Sequence, residues 1–349
     1  MPGLTPDAIE SARGYGVTLF LHGQQDRGRT CFEAVLREVP GDPVALVHLS
    51  LLREHEAPAE AAELLRGAAR ADAGYAVRRA MLHYLSRRRR VQEGAPYEDG
   101  WLGFLEPVLV SGAWWQPTLD ELAALPEGDP DADGTIPRRI LQYWDETVPP
   151  EEVRVLIERC GRAHPGWVHD VFDDATAQDF LATRYGTGLV DTYRNCFHVT
   201  AKSDIFRLAY LHASGGFYVD ADEDCHAPLD ALRRRGVEQV FCLTRGLPSC
   251  VINGFVGTVP GTCIVERALE LCLGNIRNAM RSRPRTNVWV MTGPGALTFA
   301  ILDLVCERGA RPDDPFAGFA LVEDPEYRRL FTTPAMEYKR HARGNWRLA

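Results

Sequence analysis

Residues 200–225 read TAKSDIFRLAYLHASGGFYVDADEDC, and the grammar of the chain changes at the Gly215-Gly216 pair. Up to about residue 213 the stretch reads as a helix. Beyond the glycines, a short aromatic run bounded by turn residues reads as a strand over 215–220. That strand delivers Asp220, and then Asp222, Glu223 and Asp224, so four carboxylates crowd into five residues. A helix leading through a tight glycine turn into a strand that ends in acid is the unit of an α/β sandwich. In such folds ligands bind at the carboxyl ends of strands.

The same alternation runs through the second half of the chain. Strands are expected at 138–144, 167–172, 239–243 and 251–257, with helices at about 151–163, 174–185 and 262–281, hence a mostly parallel sheet. Residues 6–90 instead read as helices throughout. Leu46, Leu49, Leu52 and Arg53 start one face, and Ala61, Leu64, Leu65, Ala68 and Ala69 make another. A period of about 34 residues pairs Gly28 with Ala62 and Val35 with Ala69, while Gly16, Phe32 and Pro40 fall where a tetratricopeptide-like repeat places Gly, Phe and Pro. The expected organisation is therefore a tetratricopeptide-like helical domain over 1–125, a linker over 126–135, and a catalytic α/β domain over 136–349. The linker's Asp129, Asp131, Asp133 and Gly134 imitate the start of a calcium loop, but Ile140 stands where the bidentate Glu is needed. Arg87 to Arg90 read as a helix C-terminus favoured by the helix dipole, and Trp114 and Trp115 as packing residues.

The bulk numbers narrow the function. With 349 residues two domains are expected. A net charge of −9 argues against a general binder of nucleic acid or anionic membrane. The start, MPGLTPDAIESARGYG, shows no basic or apolar leader, and no apolar run is long enough to span a bilayer, so the expectation is a cytoplasmic protein without a transmembrane segment. Nine scattered cysteines without a C-x-x-C pair argue against a disulfide framework or a structural zinc site. Only Lys202 and Lys339 are lysines among 39 basic residues, the mark of a GC-rich, bacterial genome.

On an extended chain the period of two places Asp220 and Asp222 on one side. Unpaired, they repel and raise each other's pKa; a divalent cation removes that penalty. Oxygen-only ligands at a partly open site suit manganese or magnesium, so Asp220 and Asp222 are the expected metal residues. Two to three helical turns upstream of the glycines, Asp204 and Arg207 share a helix face, and their plainest reading is a local ion pair.

Taken together, S-D-x-x-R-x-x-x-L-x-x-x-G-G-x-Y-x-D-x-D resembles the DXD glycosyltransferases of family 32, which include capsular polysaccharide sugar transferases and fungal initiating mannosyltransferases, and is similar to the glucosylating toxins. IPRRILQYW (136–144), HPGWVHDVFDD (164–174), APLDAL (227–232), Asn253 in VINGF, TGPGALT (292–298) and HARGNW (341–346) follow in the family's order. Asn345 departs from the Ser that many relatives carry before the tryptophan. The resemblance implies a GT-A fold, a nucleotide-diphosphate sugar donor with UDP favoured, a divalent metal and retention at the anomeric carbon. It further implies that Asp222 ligates the metal and Asp220 assists, that Asp204 and Arg207 bind sugar hydroxyls, and that Trp144, Tyr218, Asn253 and Trp346 form the cofactor-binding set around the nucleotide and diphosphate. The acceptor would be a glycan, natural product or peptide, with a protein partner conceivable at the helical domain. Two other readings fit the residues: a metal-dependent nucleotide-sugar hydrolase or phosphodiesterase, and a catalytically silent relative whose helical half binds a peptide.

Overall fold

The computed structural model describes residues 5–53, 56–72, 117–128, 134–244, 250–282, 288–308 and 318–340. Arg87 to Arg90, Trp114, Trp115, the aspartates 129, 131 and 133, and Trp346 lie outside the described residues. The chain divides into two compact units.

The helical unit holds α1 (Pro6–Leu21), α2 (Gln25–Glu38), α3 (Pro43–Arg53) and α4 (Pro58–Ala71). Thr5 caps α1 by accepting the Ala8 N–H, and Pro6 follows where a missing N–H does no harm. Consecutive helices pack on one another. Phe32, Val35, Ala45, Leu49 and Leu52 form the core. Gly16 lets the Phe32 ring in, since a Cβ there would lie 2.8 Å from the ring. Gly28 lies against the α1 backbone, where a Cβ would meet the Gly16 carbonyl at 3.3 Å. Both glycines thus sit at close helix approach, the tighter at Gly16.

The α/β unit is built on a six-stranded sheet. Its strands are β1 (Arg139–Tyr143), β2 (Val168–Phe172), β3 (Gly216–Val219), β5 (Gln239–Thr244), β6 (Cys250–Thr258) and β7 (Phe319–Glu323), in the order β2-β1-β3-β6-β5-β7. β1 runs parallel to β2 and β3, and β5 parallel to β7; β6 runs antiparallel to β3. A second, two-stranded sheet pairs β4 (Asp224–Cys225) with β8 (Phe331–Thr332). Around these lie α5 (Leu119–Ala124), α6 (Glu151–Ala163), α7 (Asp174–Tyr185), α8 (Thr187–Arg194), α9 (Val199–Ser214), α10 (Cys263–Ser282), α11 (Val288–Met291), α12 (Pro294–Arg308) and α13 (Asp324–Leu330). The mixed α/β architecture with a mostly parallel sheet is the one expected.

Two local features place the acidic stretch. Gly215 (φ 63°) and Gly216 (φ 103°) both adopt left-handed backbone, and a Cβ on Gly216 would meet the Arg139 carbonyl at 2.7 Å. The pair is thus a turn that only glycine makes, and it brings β3 tight against β1. On the far side of the acidic stretch, the Leu229 N–H donates to Nε2 of the buried His164 (3.0 Å), whose Nδ1 donates to the Cys160 carbonyl (2.8 Å). Burial holds this imidazole below its ordinary pKa, in the neutral form that can do both. Cys160, His164 and Cys225 do converge within 4.8 Å of one another, but both ring nitrogens of His164 are already engaged by backbone. The trio pins the chain after the acidic cluster to the end of α6.

The boundary between the units differs from the one read off the sequence. Leu119 and Leu122 of α5 are buried in the α/β core with Ile140, Phe217, Val240 and Phe331, so the α/β unit takes in residues placed with the helical half. The apolar face of α5 has its partners there. Part of the expected linker is also structured: Arg235 N–H donates to the Pro126 carbonyl (3.0 Å) and Glu127 bridges Arg234.

Candidate active site

The acidic cluster sits where β3 ends, but not on an extended strand. After Val219 the chain turns, with the Glu223 N–H donating to the Asp220 carbonyl (3.1 Å). The side-by-side placement expected from the strand period is replaced by a four-residue turn. Asp220 and Asp222 accordingly face different partners.

Asp220 belongs to a network rooted in α9. Its Oδ1 accepts from the Tyr218 hydroxyl (2.7 Å) and lies 3.3 Å from Arg207 Nη1. Arg207 is buried at 3% exposure and reaches five neighbours: Asp220, Asp204 (3.2 Å), the Ser203 hydroxyl (3.0 Å), the Asn253 carbonyl, and the Tyr218 ring, over which its guanidinium lies at 4.0 Å. Burial opposes its charge, yet Tyr218 and the carboxylates of Asp220 and Asp204 together raise its pKa. Asp204, at 1% exposure, accepts from Asn253 Nδ2 (2.7 Å) and from Thr292 Oγ1 (2.8 Å). Burial pushes its carboxyl up to about 6 even though Arg207, Thr292 and Asn253 all favour the anion. The structure therefore gathers Asp204, Arg207, Tyr218, Asp220 and Asn253 into one hydrogen-bonded group. Asp204 and Arg207 face one another and the protein, so in this arrangement they set the position of Asp220.

Asp222 belongs to a second group. Its Oδ2 accepts from the Tyr338 hydroxyl (2.8 Å) and pairs with the Lys339 ammonium. Tyr338 packs edge-on against Trp144, ring centroids 4.9 Å apart, and both rest on Val153, Ile157 and Ala221. Trp144 thus lies beside the acidic turn, and its buried Nε1 has no partner among the described residues. Glu223 is 7% exposed. Its Oε1 accepts from Thr333 (2.7 Å), while Oε2 is buried without a partner among the described residues. Burial, with the nearby charges of Asp220 and Asp222 acting against the Thr333 hydrogen bond, pushes its carboxyl up to about 7.

This donor set fits a hard divalent cation. Three carboxylates, Asp220, Asp222 and Glu223, follow one strand end, one buried Glu223 oxygen has no partner among the described residues, and Asp222 already holds a positive charge in Lys339. Asp222 and Glu223 would hold such an ion, with Asp220 braced behind by Arg207.

Residues 150–237 match a glycosyltransferase sugar-binding region containing a DXD motif. The resemblance to the DXD glycosyltransferases is borne out, and the matched range includes Asp220 and Asp222. Among curated proteins, the chain is 29% identical to inositol phosphoceramide mannosyltransferase 2 of Schizosaccharomyces pombe over 175 residues, 49% of this chain and 48% of that protein. It is 28% identical to the mannosyl phosphorylinositol ceramide synthase SUR1 of Saccharomyces cerevisiae over 39% of this chain and 34% of that protein. The matches thus span half or less of these relatives' length. Among solved structures it is similar to the PaToxG glycosyltransferase, at 16% identity and a TM-score of 0.41, over 56% of this chain and 77% of that one.

The residues that sequence reasoning missed are Tyr338, Lys339, Thr292, Thr333 and Gly254. Thr292 lay inside the quoted TGPGALT run and Gly254 inside VINGF, each carrying a signal for its segment but none for its own contact. Tyr338 and Lys339 precede the quoted HARGNW and carry no motif. No helix among the described residues is long and apolar enough to cross a membrane.

Proposed function

We propose that the α/β unit is a GT-A-type, metal-dependent, retaining glycosyltransferase that moves a sugar from a nucleotide-diphosphate sugar, UDP-linked by preference, to a hydroxyl of a glycan, natural product or peptide. The observation that carries this reading is the division of labour at the end of β3. One DXD acid is locked by a buried arginine, while the other already neutralises a cation beside a buried, half-satisfied glutamate. Manganese or magnesium, when bound, would neutralise the diphosphate and act as a Lewis acid for its departure. The chain's own groups would do the rest. Trp144 would offer its ring and unpartnered Nε1 to the nucleotide base. Tyr218, bonded to Asp220, would hold that carboxylate's orientation, and Arg207 would pair with it. Asp204 and Asn253 would fix Arg207. Retention is taken from the resemblance. The helical unit, read as tetratricopeptide-like, would present an acceptor-docking surface.

The test is thermal unfolding with a panel of nucleotide sugars, including UDP-glucose, UDP-N-acetylglucosamine and, because the relatives are named for mannosyl transfer, GDP-mannose. One donor at about 100 times its Kd should stabilise the chain by about 2.7 kcal/mol, and only with manganese present. Saturating donors and metal that leave Tm unmoved would sink the reading.

Gly254 supplies a second check. Its carbonyl accepts the Asp220 N–H (2.9 Å), and a Cβ there would meet Asp220 Oδ2 at 2.6 Å. The obstacle is the tip of one side chain, so Gly254→Ala should fold with a stability loss of about 1 kcal/mol or less. Displacing the Asp220 carboxylate should nevertheless lower kcat/KM for transfer by on the order of 10². Steady-state rates alongside urea denaturation separate the two effects, and wild-type kinetics in this variant would remove Asp220 from the reaction.

A further inference from the structure

The segment following β8 lies over the acidic turn and is fastened at each step. Thr333 donates to Glu223, the Glu152 carboxylate accepts the N–H groups of Glu337 and Tyr338 (3.3 Å each), Tyr338 rests on Trp144, and Tyr338 and Lys339 both engage Asp222 Oδ2. Its anchor is the β4–β8 pair, whose strand β4 begins two residues beyond Asp222. The Lys339 side chain is about one-third exposed, so its ammonium is a fixed charge on a stem that can move.

We propose that Lys339 is a built-in counter-ion that occupies the cation position at Asp222 and passes to the donor's diphosphate when a divalent ion arrives. This inference rests on the metal-dependent reading above and adds a donor-binding residue to it. Two cations cannot share one carboxylate oxygen without strong repulsion, and the Lys339 ammonium is the one tethered to a flexible chain. The nearest new anion for it is the diphosphate that the metal draws in, which a compact ammonium with three donors suits as a point charge. Lys339 then opposes metal binding before the donor arrives and favours the nucleotide afterwards. Metal and donor therefore enter together, and the site resists filling with metal alone.

The two effects have opposite signs, which gives the test. In Lys339→Ala, Mn²⁺ affinity without nucleotide, read from the paramagnetic resonance of the free aquo ion, should rise about tenfold. Affinity for UDP or GDP, whichever the wild type binds more tightly, measured calorimetrically at saturating Mn²⁺, should fall about tenfold. Lys339→Gln, which keeps the stem, should behave alike. A general loosening of the segment would weaken both ligands and would overturn the proposal, as would no change in either. If the wild type binds Mn²⁺ and Asp222→Asn abolishes that binding, such a result overturns the role of Lys339 alone. If neither the wild type nor Lys339→Ala binds Mn²⁺, with or without nucleotide, the metal-dependent reading fails and this inference with it.

Discussion

Replacing Arg207 by Met is expected to destabilise the α/β unit by about 3–5 kcal/mol, the penalty of removing one partner from a buried charge network. Met fills much of the same volume, so the loss would come from electrostatics more than from a cavity. Asp204, at 1% exposure, would keep only Thr292 and Asn253, and Asp220 would keep Tyr218. The pH dependence identifies the cause. Asp204 already has a folded pKa of about 6, above that of a free carboxylate, so the folded state favours its protonated form. Its contribution is therefore most favourable below about pH 4 and declines as pH rises through the folded pKa. Without Arg207 that pKa moves higher still, and the decline extends to higher pH. The deficit of Arg207→Met relative to wild type should thus be larger at pH 8 than at pH 5, as measured by urea denaturation at both. A deficit independent of pH would mean that packing against Tyr218, and not the charges, is what Arg207 contributes.

What could be read from the sequence divides along the range of the interactions. Helices at 151–163 and 174–185 match α6 and α7, because both carry their boundaries locally: Pro150 precedes one, and Asp173 and Thr176 form a capping box at the start of the other. The Gly-Gly turn, the strand after it and the acid at its end were equally legible, since positive φ and strand propensity are properties of a few neighbouring residues. The partners of the acids were not. Thr292 reaches Asp204 across 88 positions and Tyr338 reaches Asp222 across 116, and nothing local at either residue announces such a contact. The missed β7 and the misassigned α5 have the same origin. Leu119 and Leu122 look like any helical apolar pair until the surface they bury against is known. The period-two placement of Asp220 and Asp222 failed for a subtler reason: the strand ends at Val219, and the turn closed by the Glu223 N–H carries the second acid away from the first.

Asp222→Asn is expected to abolish the proposed metal-dependent transfer, lowering kcat/KM by on the order of 10³, while leaving the metal-free fold within about 3 °C of the wild-type Tm. The asymmetry follows from the two groups at the end of β3. Asn keeps the hydrogen bond from Tyr338 and the volume of Asp, and forfeits only the ion pair to Lys339, a partly exposed pair of the kind worth about 1 kcal/mol or less. Against that loss stands a gain, because the Glu223 carboxyl, pushed up to about 7 first by burial, is raised further by the charges of Asp220 and Asp222. Removing one charge should therefore lower that pKa, while burial still holds it above the ordinary carboxylate range. The cluster is thus poorly suited to the empty chain and well suited to a bound cation, a burden expected where binding strength is kept at the expense of stability. Circular dichroism melts without metal, paired with initial rates at saturating manganese, give both numbers from one preparation. A variant that melts like wild type and still transfers sugar would place the cation elsewhere, while a variant that melts more than about 10 °C lower would make Asp222 a structural residue whose loss of activity says nothing about metal.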